Sequence, residues 1–243
     1  MGRLLAISDI HGCLEEFNEL IDEIKLTKKD NLVILGDVID RGPHNVDTVF
    51  RIMELKANGY DIVNIMGNHE EIFLNAIKMY KSIEELYCSP YMNMLSHNGT
   101  INSLIEYFNL SKQEKVKLKL ELLSYRNYYK INNFLFVHAG VESNVDLEKQ
   151  TLENMMWIRN GFVDKESHGF PYTVIFGHTP TSSLNTNKEF KIWRMNDKIG
   201  IDCGCVFGGK LACLDLTNNK EYYVDSKRKS WNEISVSLGK KSG

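Results

Sequence analysis

Short apolar runs alternate with stretches of helical periodicity through the first third of the chain. Residues 4–8 read as a buried strand, and residues 14–26 as a helix with Phe17, Leu20, Ile21 and Ile24 on one face. Residues 32–35 form the next expected strand. A helix over 46–56 follows, with Val49, Phe50 and Met53 at helical spacing, then a strand over 62–66 and a helix over 70–81. This rhythm predicts a parallel sheet with right-handed crossovers. Residues 82–125 are rich in Lys and Leu and lack a strand pattern, so they predict a helical insert; Ser111 to Glu114 has the form of a capping box. Strands return at 134–137, 173–176, 191–194, 199–202, 211–215 and 221–224. The Thr217-Asn218-Asn219-Lys220 turn predicts an antiparallel hairpin between the last two. With no repeat and no Gly-, Ser- or Pro-rich linker, the expectation is one domain over 1–225 and a polar tail over 226–243.

Composition narrows the class. Hydrophobic residues make up 43% and charged residues 25% of the 243, the profile of an ordinary soluble α/β protein. A formal net charge of −3 offers no basic field, so no nucleic-acid partner is indicated. Five cysteines form no even disulfide framework, and the N-terminus runs straight into a strand. Ala6 stands where a myristoylation signal wants Ser or Thr. No apolar stretch nears the ~20 residues that span a bilayer. A reducing, cytoplasmic setting with no membrane association is expected.

The candidate chemistry sits at the strand ends. Asp9 and His11 follow the first strand, Asp37 the second, Asn68 the third, and His138 and His178 the strands at 134–137 and 173–176. Ligands of open α/β sheets collect beyond the carboxyl ends of the strands, so these six side chains should converge. Carboxylate, imidazole and amide oxygen without thiolate suit first-row divalent ions rather than structural zinc. A carboxylate such as Asp37 can bridge two ions, and two ions ~3.5–4 Å apart form the clamp used for in-line displacement at phosphorus.

The blocks Asp9-Ile10-His11-Gly12, Gly36-Asp37-Val38-Ile39-Asp40-Arg41-Gly42 and Gly67-Asn68-His69-Glu70 closely resemble the signature of the phosphoprotein phosphatase metallophosphoesterases. His138-Ala139-Gly140 and Gly177-His178-Thr179-Pro180 continue the match in order. The nearest likeness is to bacterial and phage serine/threonine phosphatases of the lambda type. The resemblance implies a calcineurin-like metallophosphoesterase fold, with two mixed sheets in a sandwich flanked by helices (αββα). It also implies one metal on Asp9, His11 and Asp37 and a second on Asp37, Asn68, His138 and His178. Manganese is the expected ion, with iron, zinc or nickel as alternatives. A metal-bound hydroxide would attack in line. His69, oriented by Asp40, would act as general acid, and Arg41, Arg159 and Asn68 would hold the phosphate.

The expected activity is therefore phosphomonoester hydrolysis, on phosphoserine and phosphothreonine or on a small phosphoester. Alternatives are a dinucleoside polyphosphate hydrolase, for instance of diadenosine tetraphosphate, a phosphodiesterase, and a non-catalytic metal-binding regulator. Symmetrical tetraphosphate hydrolases commonly lack an aspartate at the place of Asp40 and prefer Asp at that of Glu70, and both features favour the phosphatase. Met66 points the other way, because these phosphatases usually carry an arginine there. Cys203 and Cys205 should share a strand face near Cys213 as core residues. His44 and His168 should lie in surface loops, and His97-Asn98-Gly99 resembles the family's active-site loop.

Overall fold

The computed structural model describes residues 2–228. Residues 229–243, most of the expected tail, lie outside the described residues.

The βαβαβ rhythm is realised as β1 (Leu4–Ile7), α1 (Leu14–Glu23), β2 (Asn31–Ile34), α2 (Asn45–Ala57), β3 (Asp61–Asn64) and α3 (Asn68–Met79). Strands β1, β2 and β3 pair in parallel, Leu5 opposite Leu32 and Leu32 opposite Ile62. Helix α1 stops three residues short of the expected end, because Lys25 takes a left-handed φ of 49°. The 82–125 segment is helical throughout its regular parts, as α4 (Ile83–Tyr87), α5 (Met92–His97), α6 (Thr100–Asn109) and α7 (Lys112–Leu123). The capping box at the start of α7 is present. Ser111 Oγ accepts from Glu114 N at 3.3 Å, and Glu114 Oε2 from Ser111 N at 2.9 Å.

A strand not foreseen, β4 (Tyr128–Ile131), precedes β5 (Phe134–Val137). Next come α8 (Leu152–Trp157), α9 (Asn160–Val163), β6 (Thr173–Phe176) and α10 (Thr181–Leu184), then β7 (Trp193–Met195), β8 (Lys198–Gly200), β9 (Lys210–Asp215) and β10 (Lys220–Asp225). The expected strand at 191–194 is thus shifted to β7. The one at 199–202 ends early, releasing Ile201 and Asp202 into a loop. The hairpin of β9 and β10 is antiparallel as expected, its turn closed by the Asp215 carboxylate accepting from Thr217 N and Asn218 N.

Two five-stranded sheets result, ordered β10-β9-β1-β2-β3 and β4-β5-β6-β8-β7. Each mixes parallel and antiparallel pairs. Leu4, Ala6, Val33 and Leu35 from the first meet Phe136, Ile175 and Ile199 from the second in an intersheet core. The other face of the first sheet packs on Phe17, Leu20, Val49, Phe73 and Leu118 of the helices, and that of the second on Met155, Phe162 and Val163. This four-layer αββα order matches the expected fold class. Because β1 lies in mid-sheet, all four of its residues are buried, which explains its continuous apolar run.

Two expectations about single residues change. Cys203 belongs to the intersheet core, whereas Cys205 and Cys213 belong to the helix-side core, so Cys203 and Cys205 share no face. Cys205 instead meets Cys13 and Glu16, the three ligand atoms lying within 4.8 Å of one another. His168 is buried rather than at the surface. Phe162 stacks on it at 6.3 Å, and its Nε2 lies 3.2 Å from Asp197 O.

Candidate metal-dependent phosphoesterase site

The carboxyl ends of β1, β2, β3, β5 and β6 open onto one cleft between the sheets, and there Asp9, His11, Asp37, Asn68, His69, His138 and His178 come together. All are at most 6% exposed. The turns that deliver them are bent hard. Asp9, His11, Asp37, Asp40, Arg41 and His178 hold φ of 49°, 47°, 51°, 73°, 68° and 63°. Left-handed backbone costs a non-glycine residue about 1 kcal/mol or more, and such strain collects at functional turns. Two glycines permit the close approach of chains. A Cβ on Gly67 would lie 2.3 Å from Asp37 Oδ1, and one on Gly177 2.1 Å from Asp9 Oδ2.

Hydrogen bonds fix which atoms face the cleft. His11 Nδ1 lies 2.8 Å from Ile39 O, and His138 Nδ1 2.6 Å from Leu35 O. Each ring therefore donates from Nδ1 to a carbonyl and turns the Nε2 lone pair inward. His138 Nε2 then faces Asn68 Oδ1 at 3.0 Å and Asp37 Oδ1 at 3.4 Å. Burial lowers the His138 pKa to about 3, with the backbone bond to Leu35 opposing, so the ring is neutral. Ring nitrogen, amide oxygen and carboxyl oxygen thus converge on one point. His178 Nε2 is likewise buried without a partner, and burial lowers its pKa too. Inward lone pairs and carboxylates are what a divalent cation needs, so the donor set fits a metal pair.

The acidic groups repeat the argument. Burial and then the nearby Asp202 push the Asp9 carboxyl well up, even though Ser8 Oγ and His178 N donate to it. Burial, Asp9 and Glu70 do the same to Asp37. Such crowding of carboxylates calls for positive charge, and Arg41 and Arg159 supply part of it. Arg41 Nη1 reaches His11 Nε2 at 2.9 Å, and its guanidinium lies 5.4 Å from the Phe207 ring centre. Arg159, exposed at the start of α9, donates to Thr179 Oγ1 at 3.2 Å and so borders the same cleft.

His69 is set apart by its partners. Its Nδ1 lies 2.8 Å from Asp40 Oδ2, while Nε2 is buried with no hydrogen-bond partner among the described residues and 3.9 Å from Asp37 Oδ2. Burial lowers its pKa, and the Asp40 carboxylate opposes that fall. Asp40 is held in turn by Thr100 Oγ1 at 2.6 Å and Ser103 Oγ at 2.5 Å, one turn apart on α6. The Gly99 loop abuts Arg41, whose N donates to Gly99 O at 3.3 Å, whereas His97 is exposed.

Sequence reasoning missed several of these supports. Glu70 accepts from Asp37 N at 2.9 Å, Val38 N at 2.8 Å and Gly67 N at 3.0 Å, clamping the β2 turn to the start of α3. Burial raises its pKa to about 7 against those bonds. Asp202, in the loop after β8, is 5% exposed and lies near Asp9, Arg41 and Arg159; burial raises its pKa to about 6. Trp157 closes one side, its ring 6.1 Å from that of His178. For Asp202 a signal existed, since it too follows an apolar strand.

Fold and donor set together define a metal-dependent phosphoesterase. The chain matches the calcineurin-like phosphoesterase family over residues 2–211 and belongs to it. Its relatives include the asymmetrical bis(5′-nucleosyl)-tetraphosphatase PrpE of Bacillus mycoides, 27% identical and covering 86% of this chain and 88% of the relative. They also include the symmetrical bis(5′-nucleosyl)-tetraphosphatase of Wigglesworthia glossinidia brevipalpis, 25% identical and covering 91% and 98%. A crystal structure assigned provisionally as a diadenosine tetraphosphatase superposes with a TM-score of 0.67 at 21% identity, covering 95% of both chains. A yeast serine/threonine phosphatase superposes at 0.55 with 14% identity over 94% and 81%, a likeness of fold. The expected calcineurin-like family holds, whereas for the narrower likeness to lambda-type phosphatases these relatives favour the tetraphosphatase alternative. Asp40 braces His69, and Glu70 the Asp37 turn.

Proposed function

We propose that this protein is a two-metal hydrolase of dinucleoside polyphosphates such as diadenosine tetraphosphate. The observation that carries the substrate class is the likeness to tetraphosphatases over most of the chain. The facing lone pairs of His138, Asn68 and Asp37 support the metal pair. In this reading Asp9, His11 and Asp37 hold one ion, and Asp37, Asn68, His138 and His178 the other. Manganese is the proposed ion, while iron, zinc and nickel suit the same nitrogen and oxygen donors. Two bound divalent ions supply Lewis acidity to the phosphoryl oxygens and a hydroxide nucleophile near neutral pH.

The chain's own groups do the rest. Arg41 and Arg159 grip phosphate oxygens from the two sides of the cleft, each guanidinium offering a planar fork. Asn68 presents its amide beside them. His69 gives the proton on Nε2 to the departing phosphate oxygen, while the Nδ1 bond to Asp40 keeps the ring turned and favours its charged form. Met66 adds no cation beyond the two arginines. The test is a substrate panel with manganese-loaded protein and chromatographic product analysis. Diadenosine tetraphosphate should be cleaved with kcat/KM at least tenfold above that for phosphoserine peptides. Ready cleavage of the peptides with the tetraphosphate left intact would overturn the reading. The products, two ADP or ATP with AMP, report the position of attack.

A further inference from the structure

Beside the cleft runs an apolar groove of about 460 Å³ between α3, α7 and α8, walled by Met66, Leu74, Leu123, Leu152 and Met156. Leu123 and Leu152 are 56% and 51% exposed, a cost that large apolar side chains gathered on one surface bear when a ligand covers them. The groove adjoins the site. Met66 stands two residues before Asn68, and Glu71 on the groove wall accepts from Trp157 Nε1 at 3.4 Å, beside His178. From Glu71 the α3 stripe passes Leu74 and Asn75 to Lys78, seven residues or about 10 Å along the helix.

We infer that this groove is the subsite for one nucleoside of the substrate; the inference rests on the dinucleoside polyphosphate reading above. The chemistry of the walls selects this occupant. A purine has two flat apolar faces and a polar edge. Met66 and Met156 offer polarisable thioethers to an aromatic ring, and the Asn75 and Asn127 amides that line the same groove can pair with a base edge. The Met66 thioether adds no charge to the wall next to Glu71, which suits the flat face of a base rather than a second anion.

The experiment pairs kinetics with binding on the full-length, manganese-loaded protein. Leu123→Asp and Leu152→Asp alter exposed positions. Each should lower the ratio of kcat/KM for diadenosine tetraphosphate over that for p-nitrophenyl phosphate at least tenfold, mainly through KM. An unchanged ratio in both variants sinks the inference while leaving the hydrolase reading intact. Equilibrium binding of AMP separates the two ideas. If the wild-type protein fails to cleave the tetraphosphate, the hydrolase reading falls. The groove is still judged by AMP affinity, expected to weaken at least tenfold in Leu123→Asp. No AMP binding by the wild type, or equal affinity in wild type and variants, overturns the subsite.

Discussion

The Asp40 carboxylate makes its hydrogen bonds inside the protein, to His69, Thr100 and Ser103. Its effect on catalysis must run through His69. Since Asp40 raises the His69 pKa, Asp40→Asn lets it fall, and the alkaline limb of the kcat profile should move to lower pH as kcat drops about 10²-fold. An unmoved limb would assign Asp40 a purely structural part. Asp37, shared between both donor sets, behaves differently. In Asp37→Asn, metal content by mass spectrometry and activity should both collapse, whereas His69→Asn should keep its metals and lose turnover. Metal-free His69→Asn protein would contradict the acid assignment. Glu70 has its own signature. Glu70→Gln turns one acceptor into a donor against the backbone N–H groups of the Asp37 turn, and chemical denaturation should show a loss of about 2–3 kcal/mol.

At the scale of elements, α6 does two jobs. Leu104 joins the helix-side core, and Thr100 and Ser103 reach Asp40. A Thr100→Val, Ser103→Ala variant should keep the helix but leave Asp40 Oδ1 and the Asp40 N–H unmet, lowering stability by about 2–4 kcal/mol with a parallel fall in kcat. Far-ultraviolet circular dichroism and thermal melts check it. Element reasoning also shows what was legible beforehand. The ends of β1, β2, β3, β5 and β6 could be read because a buried parallel strand is a continuous apolar run and the residue after it must face the ligand crevice. Asp202 escaped because the strand pattern ran two residues too far, hiding a loop carboxylate inside an expected strand. β4 escaped for another reason. Tyr128–Ile131 lies on a sheet edge, and none of its residues is fully buried. The short α8 and α9, of six and four residues, depend on tertiary packing that no local pattern announces.

For the molecule as a whole, one charged strap lies away from the cleft. Arg3 Nη2 meets Asp30 Oδ2 at 2.7 Å, joining the start of β1 to the loop before β2. Burial pushes the Asp30 carboxyl up, but bonds from Arg3 and Thr27 outweigh it and hold the group below its ordinary range. Its contribution is therefore present above the unfolded value near pH 4 and lost as pH falls toward the lower folded one. Acid unfolding curves should show a shallower loss below about pH 4 for Asp30→Asn than for the wild type. The αββα architecture was predictable only through motif resemblance. Periodicity spoke for strands and helices but could not say that they would divide between two sheets, because that depends on pairing far apart in sequence.

That distance has a consequence during synthesis. The Asp9 carboxylate takes its backbone partner from His178, and β1 takes its second sheet neighbour from β9, with Leu5 opposite Asp215. At ~5–20 residues per second, the ribosome needs roughly 10–40 s to deliver those partners. Until then the most apolar strand of the protein has one open edge, and two acidic turns stand side by side without the groups that settle them. The nascent chain must wait in that state, so the period of greatest exposure to chaperones and to misfolding is set by how late β9 is made.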